Sequence, residues 1–169
     1  GNVAKKFDAV KIFKNYYSSV AKEIKEAEEK AKKTVENKAK EITTLKVTGT
    51  KTKSGLIYQI ITKGSGNKPT NGTQVLIHYA GYLENGQLFD TSYEDVAKLY
   101  GRFDQNRDNQ NGYEGYPATI GNLPFIPGFN EGVSLMSYGD KIMLYIPSEL
   151  GYGQQGAGDA IPPNANIIF

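Results

Sequence analysis

QVLIHYAGYLENGQLFDTS, residues 74–92, contains the pattern that decides the fold of this chain. Residues 74–83 are rich in β-branched and aromatic side chains, which favour a strand. The dipeptide Asn85-Gly86 follows, and it is a strong signal for a tight hairpin turn. Residues 88–90 then resume the apolar pattern. The sequence therefore predicts an antiparallel hairpin within a β structure.

Short apolar runs separated by Gly, Pro and Asn continue this pattern on both sides of the hairpin. The other segments predicted as strands are residues 56–62, 141–147 and 166–169. A short helix is expected over residues 129–135. Phe129, Val133 and Met136 fall on one helical face there, and Gly139 follows. The predicted fold class is α+β, with a strongly bent antiparallel sheet wrapped on one short helix.

The first 48 residues differ in composition from the rest of the chain. Only one of the 19 glycines and none of the seven prolines lie before residue 49. Both residue types interrupt helices, so this stretch is predicted as one long α-helix of about 60 Å. Its apolar residues alternate steps of three and four, as one helical face requires: Phe7, Val10, Phe13, Tyr17, Val20, Ile24, Ala27, Ala31, Val35, Ala39 and Ile42. We therefore divide the chain into an arm, residues 1–48, and a globular domain, residues 49–169.

The two halves of the arm have different side chains. Large apolar residues occupy the front half, whereas alanine among Glu and Lys dominates the rear half. We expect the front half to pack against a second copy of the arm or an upstream domain, and the rear half to be a solvated spacer. The arm holds 12 lysines and 7 acidic residues, a net charge of +5. These are interleaved and arginine is absent, so a solvent-exposed helix is favoured over one that binds nucleic acid or a membrane surface.

Residue counts exclude several classes of chemistry. The chain has no cysteine and one histidine, His78, which excludes disulfides, thiolate zinc sites and multi-histidine metal sites. No apolar run approaches the roughly 20 residues that a membrane-spanning helix needs. Residues 104–108 space oxygen ligands like the start of a calcium loop, but Asn109 stands where the turn glycine belongs. We expect no metal and no cofactor.

Several blocks of sequence, in a fixed order, resemble one known family. They are residues 75–83, Phe89-Asp90-Thr91-Ser92, residues 125–132 and residues 161–169, together with shorter matches between them. They are similar to the FK506-binding-protein (FKBP) type of peptidyl-prolyl cis-trans isomerase, and the similarity covers roughly residues 54–169. The arm also resembles the charged helix that precedes the isomerase domain in bacterial members.

The resemblance implies an enzyme that accelerates rotation about Xaa-Pro bonds and assists protein folding. Its ligands would be proline-containing polypeptides and macrolides similar to FK506 or rapamycin. The residues that match the family's catalytic positions are Asp90, Tyr152, Phe89 and Tyr79. Those that match its substrate-binding positions are Phe125, Ile126, Phe129, Ile161 and Phe169. By the same resemblance, Phe129 forms the floor of the proline pocket, and the Ile126 N–H and the Tyr152 hydroxyl hold substrate carbonyls.

These residue types suit the reaction. Amide rotation has a barrier of about 18–20 kcal/mol and breaks no bond, so it requires no nucleophile, metal or cofactor. The twisted amide loses resonance and charge separation, so an apolar, water-poor cleft favours it over the planar amide. Aromatic rings supply such a cleft, with Asp90 as its one charged member. Taken singly, Phe89 and Phe169 are better explained as core residues, and Asp90 is also explained as a turn cap.

The chain departs from the family pattern at three places. Phe129 stands where tryptophan is most frequent, and Ala157 and Ala160 stand where rim residues are often bulkier. Residues 93–115 are much longer than the short bulge usual in the family. We name them the insertion and predict a helix-compatible start followed by a polar, turn-rich loop. Long loops beside a cleft are often functional, so a contact with the substrate chain is expected.

Two other functions stay open at this point. The domain is alternatively a chaperone or docking module that binds proline-containing segments with little catalysis, in keeping with Phe129 and the open rim. A third hypothesis makes the chain a structural assembly piece whose helix is the working part. Cytoplasmic localisation is expected, with the periplasm or cell envelope as the alternative if a leader was removed, because a cysteine-free chain suits both.

Overall fold

A long helix followed by a bent antiparallel sheet makes up residues 8–169, the part of the chain that this computed structural model describes. In chain order the elements are α1 (Ala9–Thr48), β1 (Thr50–Lys51), β2 (Ile57–Thr62), β3 (Gln74–Ile77), β4 (Ala80–Leu83), β5 (Leu88–Thr91), α2 (Glu94–Leu99), α3 (Gln105–Asn109), β6 (Tyr116–Thr119), α4 (Pro127–Ser134), β7 (Lys141–Ile146) and β8 (Ile167–Ile168). Two 3-10 turns, Ser148–Leu150 and Gly153–Gln155, lie between β7 and β8. The start of the predicted arm, including Phe7, lies outside the described residues.

Six strands pair in the order β1-β2-β7-β8-β4-β5, and β3 pairs separately with β6. Register shifts in β2 after Ile60 and in β4 after Gly81 interrupt the ladders, and such irregularities bend a sheet. The short helix α4 packs on β7 and places Phe129 and Val133 in the buried core of the domain. This architecture confirms the predicted fold class, a bent antiparallel sheet with a short helix and a long N-terminal helix.

The strand predicted over residues 74–83 is divided into β3 and β4. The break falls at His78 and Tyr79, where the Tyr79 backbone groups bond to the side chains of Thr91, the last residue of β5, and of Ser92, the residue after it. The Tyr79 N–H donates to the Ser92 Oγ at 2.8 Å, and its carbonyl accepts from the Thr91 Oγ1 at 2.9 Å. As a result β3 and β4 pair with different strands, β6 and β5 respectively. Apolar patterning could not show this break, because it depends on hydroxyl groups that follow in sequence.

The last turns of the arm pack against the domain, so the prediction of a solvated spacer is wrong there, whereas residues 21–30 are exposed as predicted. Ile42 and Leu45 are each only 1% exposed. They belong to a second core cluster with Tyr82, Leu88, Tyr145 and Ile168. The alanine-rich sequence suggested solvent because the apolar surface that covers it comes from distant strands.

The tight hairpin after β4 also touches the arm. Gly86 has φ +90°, and a Cβ built there would collide with the backbone carbonyl of Val35. Glu84 accepts hydrogen bonds from the Tyr145 hydroxyl and, at 2.6 Å, from the Asn166 Nδ2, and it pairs with Lys46 of the arm at 3.4 Å. The hairpin therefore holds the rear half of α1 through close backbone approach and one shared carboxylate.

The front half of α1 presents large apolar side chains to solvent. Val10, Phe13 and Tyr17 are each more than 60% exposed, and the rings of Phe13 and Tyr17 lie 4.8 Å apart. Among residues 8–169, no helix has both the length and the apolar character that crossing a bilayer requires.

Substitution of Gly86 tests the contact between hairpin and arm. Gly86→Ala should lower the free energy of unfolding by at least about 1 kcal/mol more than Gly72→Ala. Gly72 has nearly the same backbone strain, φ +88°, but a Cβ there meets nothing within 4 Å. Urea unfolding of both variants measures the difference. Equal losses would contradict a tight contact between the hairpin and the arm.

Candidate active site

A cleft of about 550 Å³ opens beside α4. Eight of the nine predicted site residues line it: Tyr79, Phe89, Asp90, Phe125, Ile126, Phe129, Tyr152 and Phe169. Tyr116, Pro124 and Pro127 complete the lining. The ninth predicted residue, Ile161, is 4% exposed and packs in the core cluster. The structure therefore places Ile161 in the core rather than in the cleft lining.

The walls of the cleft are a chain of rings in edge contact. Phe125 meets Phe129 with centroids 4.8 Å apart, and Phe129 meets Phe169 at 5.0 Å and 83°. Phe89 contacts Phe169 at 5.6 Å and 88°. Edge-to-face pairs of this kind are the preferred arrangement of aromatic rings. The result is an apolar surface whose rings hold one another in place.

A missing side chain makes this packing possible. Gly81, in β4, lies directly beneath two of the rings, and a Cβ built there would overlap the ring of Phe89 and lie 2.9 Å from that of Phe169. Its role is close approach, because its φ is not in the left-handed region. The apolar-alternation argument predicted the strand but did not identify this requirement for glycine.

The loop before α4 supplies the opposite rim. Asn130 holds this loop by donating its Nδ2 to the carbonyls of Leu123 and Phe125, at 3.1 and 3.2 Å. Ile126 is extended, with φ −63° and ψ 151°, and Pro127 begins the helix. Ile126 precedes α4, and within residues 8–169 no backbone carbonyl accepts a hydrogen bond from its N–H. The N–H is therefore a donor available to a ligand carbonyl. Sequence analysis had not singled out Asn130, whose signal is a polar side chain on the short helix.

Asp90 is held by three donors. Its Oδ2 accepts from the Tyr79 hydroxyl at 2.7 Å, and its Oδ1 accepts from the Thr91 N–H at 2.9 Å and the Arg107 Nη1 at 2.6 Å. Arg107 also donates from Nη2 to the Tyr79 hydroxyl, at 3.4 Å. The one carboxylate of the cleft is thus paired with a guanidinium.

Arg107 comes from the insertion. The segment predicted as a polar loop contains the five-residue helix α3, and the Asp104 carboxylate accepts from the Asn106 N–H at 2.8 Å at its start. The Arg107 Nε donates to the Gly112 carbonyl at 3.1 Å, and its guanidinium lies 4.9 Å from the ring centre of Tyr113. The spacing that resembled a calcium loop is therefore used for helix capping. Nothing in the sequence pattern distinguished Arg107 from other insertion residues.

The environment shifts two ionisation equilibria in the cleft. Burial, together with the hydrogen bond to the Asp90 carboxylate, raises the pKa of Tyr79 to about 12. Tyr79 therefore stays a hydroxyl donor at neutral pH. Partial burial disfavours the charged form of Arg107, but the hydrogen bonds to Asp90 and Tyr79 outweigh it, so the guanidinium pKa is above its ordinary value. The carboxylate keeps a permanently charged partner.

Fold and site together define an α+β domain with an aromatic cleft that contains one neutralised carboxylate. Residues 65–169 match the family described as FKBP-type peptidyl-prolyl cis-trans isomerase. The match covers more than half of the chain, and the chain therefore belongs to this family.

Known proteins show the same relationship. The chain is 38% identical to a probable FKBP-type peptidyl-prolyl cis-trans isomerase of Haemophilus influenzae, over 70% of this chain and 41% of that protein. It is 37% identical to an FK506-binding protein of Neisseria meningitidis, over 68% of this chain and 90% of that protein. The crystal structure of FkpA from Escherichia coli matches 96% of this chain and 70% of its own, with a TM-score of 0.53 and 24% identity, and is similar in fold. The chain thus spans less than half the length of the Haemophilus relative.

Alkaline titration tests the contact between Tyr79, Asp90 and Arg107. Tyr79 should ionise near pH 12 rather than pH 10, measured as the difference in tyrosinate absorbance between the parent protein and Tyr79→Phe. In Arg107→Gln the pKa should rise further, because the guanidinium that favours the tyrosinate is removed. Arg102→Gln is the control, since Arg102 donates to the Leu88 carbonyl instead.

This titration also fixes the sign of the stability effect. The raised pKa means that the stabilising contribution of Tyr79 is complete below pH 10 and is lost as the pH rises towards 12. Ionisation near pH 10, or an equal effect of both arginine substitutions, would contradict the described contacts.

Proposed function

We propose that this chain acts as a peptidyl-prolyl cis-trans isomerase that assists protein folding, and that the aromatic cleft is where the Xaa-Pro bond rotates. The observation that carries this proposal is the chain of edge-packed rings around a cleft of about 550 Å³. It offers a proline ring an apolar surface, and among residues 8–169 no strong nucleophile lines it. A bond rotation needs only such a surface, because no bond breaks.

Binding in the cleft would favour the twisted amide by removing water from around it. The proline ring would rest on Phe129, and the edges of Phe125 and Phe169 would displace water from around the amide. A planar amide is the more polar form, so loss of water destabilises it more than it destabilises the twisted form. The free Ile126 N–H and the Tyr152 hydroxyl, on a residue 39% exposed, are placed to hold carbonyls of the flanking chain. Macrolides of the FK506 type would compete for the same surface.

Asp90 would act as a fixed polar wall rather than as a base. Its two oxygens already accept from Tyr79, Thr91 and Arg107, so the carboxylate is held in place by protein donors. The ion pair of Asp90 and Arg107 places a dipole of fixed orientation in the cleft wall, and it leaves no unpaired negative charge there. A dipole held in place before the substrate binds stabilises a changing charge distribution at no reorganisation cost.

Protease-coupled isomerisation of a Leu-Pro peptide tests the proposal. Phe129→Ala should lower kcat/KM at least about tenfold, equivalent to about 1.4 kcal/mol, and should also lower the melting temperature because a buried ring is deleted. Asp90→Ala should lower kcat/KM with little change in stability. Tyr138→Ala is the matched control, because that ring is exposed and does not line the cleft.

Two outcomes would overturn this assignment. Parent activity in both Phe129→Ala and Asp90→Ala would show that the site lies elsewhere. Rates at the uncatalysed background in the parent protein, with peptide binding intact, would favour the alternative function of a proline-segment-binding chaperone or docking module.

For the arm we propose pairing with a second copy through the front half of α1. Support comes from the exposed stripe of Val10, Phe13 and Tyr17, whose apolar area is large for a helix in solvent. Paired helices bury such a stripe on both copies at once. The fixed rear half leaves this stripe projecting from the domain.

Sedimentation equilibrium at micromolar concentration measures the pairing. The parent protein should have the mass of a dimer, and Phe13→Glu should shift it to a monomer. Asn15→Glu places the same charge on the opposite face of the helix and should leave the dimer intact. A monomeric parent protein would reject self-pairing and favour an upstream domain as the partner of the stripe.

A further inference from the structure

One side chain fixes the loop that leads into α4. Asn130, the fourth residue of this helix, donates from Nδ2 to the carbonyls of Leu123 and Phe125, at 3.1 and 3.2 Å. Both partners are carbonyl oxygens, so the orientation of the side-chain amide is unambiguous, and both of its N–H groups are used. The backbone N–H of Asn130 donates to the Ile126 carbonyl at 3.1 Å. One residue therefore holds three carbonyls of the segment 123–126.

The bond to Phe125 also determines where the Ile126 N–H points. The carbonyl of Phe125 and the N–H of Ile126 belong to one trans peptide unit, which is planar and directs the two groups to opposite sides. A donor on the carbonyl side therefore turns the N–H away from Asn130. Phe125 and Ile126 line the cleft whereas Asn130 does not, so the N–H lies on the cleft side of the loop.

The Leu123 carbonyl, which Asn130 also holds, presents no further donor to the cleft. Leu123 precedes Pro124, whose nitrogen carries no hydrogen. Of the two peptide units that the Asn130 side chain orients, only that of Ile126 therefore offers an N–H to a ligand. A hydrogen bond accepted by the carbonyl of a peptide unit also polarises that unit and strengthens its N–H as a donor.

This arrangement has a cost in stability. The Asn130 Oδ1 is buried and has no hydrogen-bond partner among residues 8–169. A buried acceptor without a donor loses its hydrogen bonds to water and gains none in return. Such groups are uncommon in folded proteins, and a functional role is one explanation for them. In Asn130, the other end of the same amide aligns the rim of the cleft.

We propose that Asn130 is a positioning residue of the isomerase site, which directs the Ile126 N–H towards a carbonyl of the polypeptide that flanks the proline. Asn130 does not touch the substrate and acts through the Phe125 peptide unit. The inference rests on the proposed function, because it assigns a task to a donor of that cleft. The N–H binds the flanking carbonyl in the planar and the twisted state alike, so Asn130 contributes to substrate binding more than to the rotation itself.

Asn130→Asp tests this role in the isomerisation of a Leu-Pro peptide at neutral pH. The variant keeps the size of the side chain but presents oxygen to both carbonyls, so the Phe125 peptide unit should turn. Loss of one hydrogen bond to the substrate should raise KM about fivefold and leave kcat within about twofold of the parent value. Asn130→Gln retains two donors and should keep KM within about twofold. Ser134→Asp is the matched control, because it adds the same charge at an exposed position of α4 outside the cleft lining.

The Ile126 amide gives a second readout that needs no variant. Saturating the parent protein with the same peptide should move the Ile126 amide proton resonance downfield, because a new hydrogen bond deshields that proton. An unmoved resonance would show that the N–H binds no carbonyl, and it would overturn the inference even if Asn130→Asp fails to fold.

The remaining outcomes separate this inference from the proposed function. A catalytic parent protein in which Asn130→Asp changes KM no more than Ser134→Asp would reject the positioning role and leave the isomerase function intact. A parent protein without catalysis, whose Ile126 resonance moves on peptide binding but does not move in Asn130→Asp, would reject the isomerase function and support Asn130 as a positioning residue for binding. A fall in kcat with unchanged KM would contradict the inference, because it would place the effect in the twisted state.

Discussion

The cleft depends on the contacts that the ring of Phe169 makes with the neighbouring aromatic rings. Two backbone hydrogen bonds to Leu144 fix its position, and its ring lies within contact distance of Phe129, Phe89 and Tyr79. Aromatic pairs of this kind contribute about 0.5–1.5 kcal/mol each beyond burial. These rings come from α4, from β5, from the junction between β3 and β4 and from the residue after β8, so the cleft forms only when the sheet is assembled. The same ring contacts therefore stabilise the fold and form the binding surface.

Much of this arrangement follows from the sequence, because local patterns determine the elements and ordered motifs determine the family. The hairpin at Asn85-Gly86, the short helix around Phe129 and eight cleft residues were all predicted from residue types and resemblance. Contacts between residues far apart in the sequence were not predicted. The docking of Ile42 and Leu45 depends on strands that follow much later, and the placement of Ile161 in the core depends on three-dimensional packing. Neither has a local signature.

The insertion also makes a contact that local sequence patterns could not predict. Arg107 lies 17 residues after Asp90, in a segment whose polar composition indicated only turns. Its guanidinium nevertheless pairs with the single carboxylate of the cleft, held by the Gly112 carbonyl and the ring of Tyr113. The electrostatics of the cleft are therefore set partly by a segment outside the main sheet. Local opening of the insertion would leave the sheet folded but would leave Asp90 without its cation.

The continuous helix of the arm gives the cleft a fixed direction. Neither glycine nor proline interrupts Ala9–Thr48, and its rear half is clamped by the hairpin at Gly86. About 40 Å of this stiff helix projects beyond the clamp at Val35, so a tilt of about 10° at the clamp displaces its far end by about 7 Å. A molecule that binds the far end of the helix therefore also determines the orientation of the cleft. The arm therefore sets the orientation of the cleft relative to any molecule bound at its far end, as well as the distance between them.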